Sequence, residues 1–172
     1  MSLTFHANGL ITGSKITMPE GSGCKGAVIQ RVKVERGGNA GTHDVSRNTN
    51  GGWDDVNTVS FTPFYSNSII NMYMNYSVGA QQNAHFYFRF AYQPSGGSDT
   101  EIERTGKQVQ TQTQDALSTR FAWSHQWVQG NTSTYTYKLQ GYKNDGGSNN
   151  IVWYHTYGNA TTSIFEITEI KQ

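Results

Sequence analysis

Five histidines, one cysteine and five carboxylates in two short runs are this chain's candidates for chemistry. His85, His125 and His155 each fall on a strand-like run, so folding could bring them together as a catalytic or metal-binding set. The commoner outcome for a histidine on a strand is a half-buried ring satisfied by a neighbouring hydroxyl or carbonyl. Trp53-Asp54-Asp55 holds an adjacent carboxylate pair, and hard cations such as calcium take several loop oxygens. Two adjacent carboxylates alone fall short of such a site, and the favoured reading is a turn capped by Asp54 with Asp55 in solvent. Asp99, Glu101 and Glu103 complete the acidic set. A glycoside hydrolase needs two carboxyl groups facing each other across a cleft, and only these five acids are placed to supply them. His-x-His, Cys-x-x-Cys, His-Glu-x-x-His and Gly-x-Ser-x-Gly are all absent, and no helix pattern follows the glycine-rich runs. No enzyme, no cofactor and no metal site is therefore expected.

The elements that position these residues read as strands throughout. Ala27–Arg36 alternates with Val28, Val32 and Val34 inward and Arg31, Lys33 and Glu35 outward. A long polar loop, 37–52, precedes Val56–Phe61, and Pro63 ends that strand. In Ser68–Val78, the residues Ile70, Met72, Met74, Tyr76 and Val78 share a face. Phe86, Phe88, Phe90 and Tyr92 do the same in His85–Tyr92, as do Phe121, Trp123, His125 and Trp127 in Arg120–Val128. Residues 99–119, charged and rich in Gln and Thr, have no helical stripe and read as an exposed ribbon or loop. Tyr135, Tyr137 and Leu139 face one way near the C-terminus, with Thr134, Thr136, Lys138 and Gln140 facing the other. Ile151–His155 and Thr162–Ile170 close the chain. About eight strands with turn signals every eight to fifteen residues predict an all-β fold, an antiparallel β-sandwich of jelly-roll type.

Composition agrees with that class. The 172 residues suffice for one domain. Apolar residues are only 35%, but 13% of the chain is aromatic, so the core must be built largely from rings. Thirteen basic residues against twelve acidic ones leave a formal charge of +1, which gives no footprint for nucleic acid or an anionic membrane. Cys24 has no partner for an internal disulfide, which fits a reducing cytosol. Met1-Ser-Leu-Thr-Phe5 lacks the basic and apolar runs of a signal peptide, and no membrane span is expected. Three glycosylation sequons, at Asn75, Asn131 and Asn159, are read as chance in an Asn- and Thr-rich chain.

Residues 1–26 differ from the rest and divide the chain into a short extended N-terminal arm and a jelly-roll domain, 27–172. Leu3, Phe5, Leu10 and Ile11 are the candidate anchors by which the arm docks on another protein. The plainer alternative is a frayed terminus with a first edge strand. Tyr142, Trp153, Tyr154 and Tyr157 are the candidate ligand or interface aromatics, since Tyr and Trp join a flat apolar surface to a polar edge.

Three stretches carry a family resemblance. Val59-Ser-Phe-Thr-Pro63 followed by Ser66-Asn-Ser-Ile-Ile70, then Thr132-Ser-Thr-Tyr-Thr-Tyr-Lys-Leu-Gln140, then Thr161-Thr-Ser-Ile-Phe-Glu-Ile-Thr-Glu-Ile170 occur in this order. Over about residues 26–170 the chain resembles the trimeric jelly-roll, tumour necrosis factor-like domains of tailed-phage virion proteins. It departs from them at Trp153-Tyr-His-Thr-Tyr157, where those domains carry a small polar loop, so no binding residue is carried over. The resemblance implies a homotrimeric virion component, made in the host cytoplasm and attached to capsid or tail proteins. With no coiled-coil heptads ahead of the sandwich, a capsid decoration or head-surface protein is expected before a tail-fibre tip. The alternative is a knob that binds a host receptor or surface glycan through loops 37–52 and 95–119.

Overall fold

Alternation of large apolar with polar residues along the strands builds two stacked sheets. The computed structural model describes residues 4–5, 11–12, 25–36, 46–47, 52–80, 86–104, 117–143, 152–153 and 163–172. In chain order its strands are β1 (Thr4–Phe5), β2 (Ile11–Thr12), β3 (Val28–Arg36), β4 (Ser46–Arg47), β5 (Asp54–Phe61) and β6 (Ile69–Ala80). They continue as β7 (Phe86–Pro94), β8 (Thr100–Arg104), β9 (Leu117–Val128), β10 (Tyr135–Lys143), β11 (Val152–Trp153) and β12 (Ser163–Ile170). No helix occurs among the described residues.

One sheet has the order β5-β10-β7-β8. The other runs β3-β12-β6-β9, with β11 and then β4 added beside the far end of β6. All of these ladders are antiparallel. The eight long strands pair from the outside in: β3 with β12, β5 with β10, β6 with β9 and β7 with β8. That nesting is a jelly roll, a long hairpin wrapped over itself into two layers.

Inward rows of both sheets meet as a single core. Ile70, Met72, Met74 and Tyr76 of β6 and Phe165 and Ile167 of β12 face Val56, Val59 and Phe61 of β5, Phe88 and Phe90 of β7, and Tyr137 and Leu139 of β10. Its two tyrosines keep hydroxyl partners, as buried phenols must. Asn57 Nδ2 donates to Tyr76 Oη at 2.8 Å, and Tyr137 Oη donates to Gln129 Oε1. Burial pushes the Tyr137 hydroxyl far above its usual range, so it stays a donor at any accessible pH.

Two expectations need correction. Val28 does not face the core; it is 61% exposed. A bulge between Glu169 and Ile170 pairs Ile170 with Val28 while Glu169 pairs with Gln30, which breaks the alternation of β3 at its first residues. The start of β9 is the second, and of the expected exposed ribbon or loop at 99–119 the residues 105–116 lie outside the described residues. Thr100–Arg104 form the exposed edge strand β8, and β9 already begins at Leu117, three residues ahead of the expected Arg120. Glycine shapes the turns between these strands, as at Gly96 and Gly130, whose φ angles of 72° and 80° disfavour any side chain.

Candidate functional site

The outward row of β10 is where chemistry collects. Lys138, Gln140 and Tyr142 follow one another along it at the strand period. Lys138 is only 8% exposed although it faces away from the core, because carboxylates from both sides close over it. Its Nζ lies 3.1 Å from Asp55 Oδ2 and 2.8 Å from Asp99 Oδ1. Opposite Lys138 on β7 stands Ala91, whose small side chain leaves room for Asp99 to reach across. Gln140 Nε2 donates to the same two acids, at 2.6 Å to each, and Gln140 Oε1 accepts Arg89 Nε at 2.7 Å.

The network continues to the sheet edge. Arg89 Nη1 is 3.2 Å from Glu101 Oε2, and Arg104 Nη2 is 2.7 Å from the same oxygen. Arg104 Nε also donates to Glu101 Oε1 at 3.2 Å. Charges are thus interleaved and neutralised across the whole face. For Asp99, desolvation is the largest single influence and pushes the carboxyl up. The Lys138 and Gln140 hydrogen bonds, with the Lys138 and Arg89 charges, together outweigh it and hold it below its ordinary range. The hydrogen bond from Arg104 does most to depress Glu101, helped by Arg89 against a smaller desolvation effect.

Beyond Gln140 the row opens into a cleft of about 490 Å³ lined by Trp53, Tyr87, Arg104 and Tyr142. Each wall comes from a different strand of one sheet or from the residue leading into it. Tyr87 and Tyr142 are register partners on β7 and β10, with ring centroids 6.2 Å apart. Trp53 lies 5.3 Å from Tyr142 at 40°. The Arg89 and Arg104 guanidinium carbons sit 4.5 Å and 5.2 Å from the Trp53 ring centre, within cation–π range. A second cleft, of about 470 Å³, lies elsewhere against Gln30, Thr62, Pro63, Phe64 and Thr132.

The expected site residues divide accordingly. Tyr142 is at the first cleft. Trp153 is in β11, with no side chain described, and Tyr154 and Tyr157 lie outside the described residues. Of the arm anchors, Phe5 stands opposite Ile11 in the β1–β2 pair, while Leu3 and Leu10 lie outside the described residues. His85, His155 and Cys24 also lie outside them. His125 sits on the inward row of β9 opposite Met72, and its Nδ1 is 3.8 Å from Glu103 Oε2. Asp54 and Asp55 belong to β5 itself and not to a turn. Asp55 is open to solvent, its side chain 42% exposed, and is also paired with Lys138. Among the described residues no group of three or more His, Cys, Asp or Glu is placed to hold a metal ion. Asp99 and Glu101 are both held ionised, the reverse of what a general acid requires.

Trp53, Tyr87, Arg89 and Arg104 went unmarked as site residues in the sequence. Tyr87 and Arg89 are the off-phase residues of an aromatic strand, and Tyr142 extends the Lys138–Gln140 row. Those outward positions were the available signal.

Comparison of the chain with models of known protein families matches none of them, and comparison with curated proteins likewise finds no match.

Proposed function

We propose that the chain is a non-enzymatic surface protein of a tailed-phage particle, a homotrimer that decorates the capsid and docks through its N-terminal residues. The observation that carries this reading is the nested pairing of the eight long strands, first with last, in the jelly-roll order that the resemblance calls for. The three stretches behind the resemblance fall at the β5–β6 junction, on β10 and on the closing strand β12. Symmetric closure is the common route by which such units assemble. Light scattering on the purified chain tests it. A trimer mass agrees with the reading, and deletion of residues 1–20 should then leave a trimer that no longer attaches to the particle. A stable monomer at micromolar concentration overturns it.

One observation favours a second reading, a knob that binds a glycan on the host surface. Trp53, which follows the 37–52 loop, and Arg104, within the 95–119 segment, stand with Tyr142 around one cleft. Outward aromatics beside fixed polar groups are what a sugar-binding surface requires.

A further inference from the structure

We infer that the cleft between Trp53, Tyr87, Arg104 and Tyr142 is a carbohydrate subsite for an uncharged oligosaccharide segment; this rests on the second reading above. A pyranose ring offers two surfaces. Its axial C–H groups make an apolar face, and its rim carries hydroxyls that both donate and accept. A matching site needs open aromatic faces next to planar polar groups that are already fixed.

This cleft supplies both. The three rings are splayed, with Trp53 and Tyr142 at 40° and Tyr87 and Tyr142 at 43°. Arg104 provides the polar edge. Its side chain is 53% exposed, yet two contacts to Glu101 and the Trp53 ring beneath hold the guanidinium in place. Arg89, only 14% exposed, is the floor that fixes Glu101 and Gln140. Ordering costs on binding are correspondingly small. All four walls are carried by one paired sheet. A volume of about 490 Å³ lies within the range of about 300–1,000 Å³ usual for small-ligand sites.

Charge selects the class of sugar. Arg89, Arg104 and Lys138 face Asp55, Asp99 and Glu101, three cations against three anions, and each cation is already bonded to a carboxylate. An anionic sugar would have to compete with these pairs for its counter-charge. A neutral sugar would use the remaining donor and acceptor positions without breaking one.

Saturation-transfer NMR on the full chain tests the inference, with cellotriose, maltotriose and mannotriose as neutral probes and sialyllactose and a hyaluronan tetrasaccharide as anionic ones. Transfer to the ring protons of at least one neutral probe is expected. Trp53→Ala and Arg104→Gln should each weaken that binding about tenfold or more. Arg104→Gln should remain folded, with a melting point lowered only by what its exposed ion pair with Glu101 contributes. Binding of the anionic probes alone overturns the neutral class and leaves the glycan reading standing. Neutral binding untouched by both Trp53→Ala and Arg104→Gln overturns the placement in this cleft. No transfer from any probe at about 10 mM overturns the inference and the glycan reading together.

Discussion

The carboxylate of Glu169 accepts the backbone N–H of Phe64 on both of its oxygens, at 2.9 and 3.0 Å. Oε1 also accepts the Tyr65 N–H at 3.1 Å, and Oε2 accepts Gln30 Nε2 at 2.7 Å. Glu169 is fully buried on the closing strand β12, whereas Phe64 and Tyr65 lie in the turn between β5 and β6. One side chain therefore ties the crossing between the two sheets to the last strand of the chain. A carboxylate can be buried only where such donors replace its water.

Removing that acceptor should be costly. Glu169→Ala leaves the two turn N–H groups and Gln30 Nε2 without this partner, and the expected loss is about 3 kcal/mol or more of unfolding free energy. Glu169→Gln retains one oxygen and should cost less. Urea denaturation measures both as a lower midpoint at an unchanged slope. An Ala variant within about 0.5 kcal/mol of the parent would mean that the turn is held by other contacts.

Acid should weaken the fold through the β10 face. Asp99 and Glu101 are both held below their ordinary values of 3.8 and 4.5. A carboxyl depressed on folding contributes stability that is full above its unfolded pKa and is lost as pH falls through its folded one. The loss from this pair therefore begins below about pH 4.5 and deepens below about pH 3.8. Glu101→Gln should make the fall in the urea midpoint between about pH 5 and pH 3 shallower than in the parent. A slope identical to the parent's would take Glu101 out of the acid response.

How much of this was legible depended on which face a residue occupied. Ile70, Met72, Met74 and Tyr76 were readable as one buried row because alternation along a single strand is a local property. Val28 misled, since the bulge that turns it outward is set by Glu169 and Ile170 at the other end of the chain. Lys138 and Gln140 were correctly placed off the core face. Their burial was not readable, because it comes from Asp55 on β5 and Asp99 beside β8. The cleft was hidden for the same reason. Its four lining residues are 89 positions apart from first to last, and only the register of β5, β10, β7 and β8 joins them.

Gly130, in the turn from β9 to β10, isolates a purely conformational cost. Its φ is 80°, and a Cβ added there would meet nothing within 4 Å. Gly130→Ala should lower stability by about 1 kcal/mol with no steric contribution, because an L side chain disfavours this backbone region. Gly130→Asn should lose less, as Asn visits that region more readily. Equal urea midpoints for the parent and both variants would show that the turn relaxes to a negative φ.

Phe90 and Trp123 join the two sheets at the edge closed by β8 and β9. Their rings are 4.2 Å apart and 6° from parallel, Phe90 on the β7 side and Trp123 on the β9 side. Phe90 also stacks on Phe165 of β12 at 6.0 Å, so it lies between two strands of the opposite sheet. Each truncation to Leu removes buried ring surface, and Phe90 should lose more because it is fully buried whereas Trp123 is half-buried. The contact itself is what a double-mutant cycle reads. Phe90→Leu combined with Trp123→Leu should cost less than the sum of the single changes by about 0.5–1.5 kcal/mol, the energy of a ring pair beyond its area. Strict additivity would mean that the two rings stabilise the sandwich independently and that the stack is incidental to holding the sheets together.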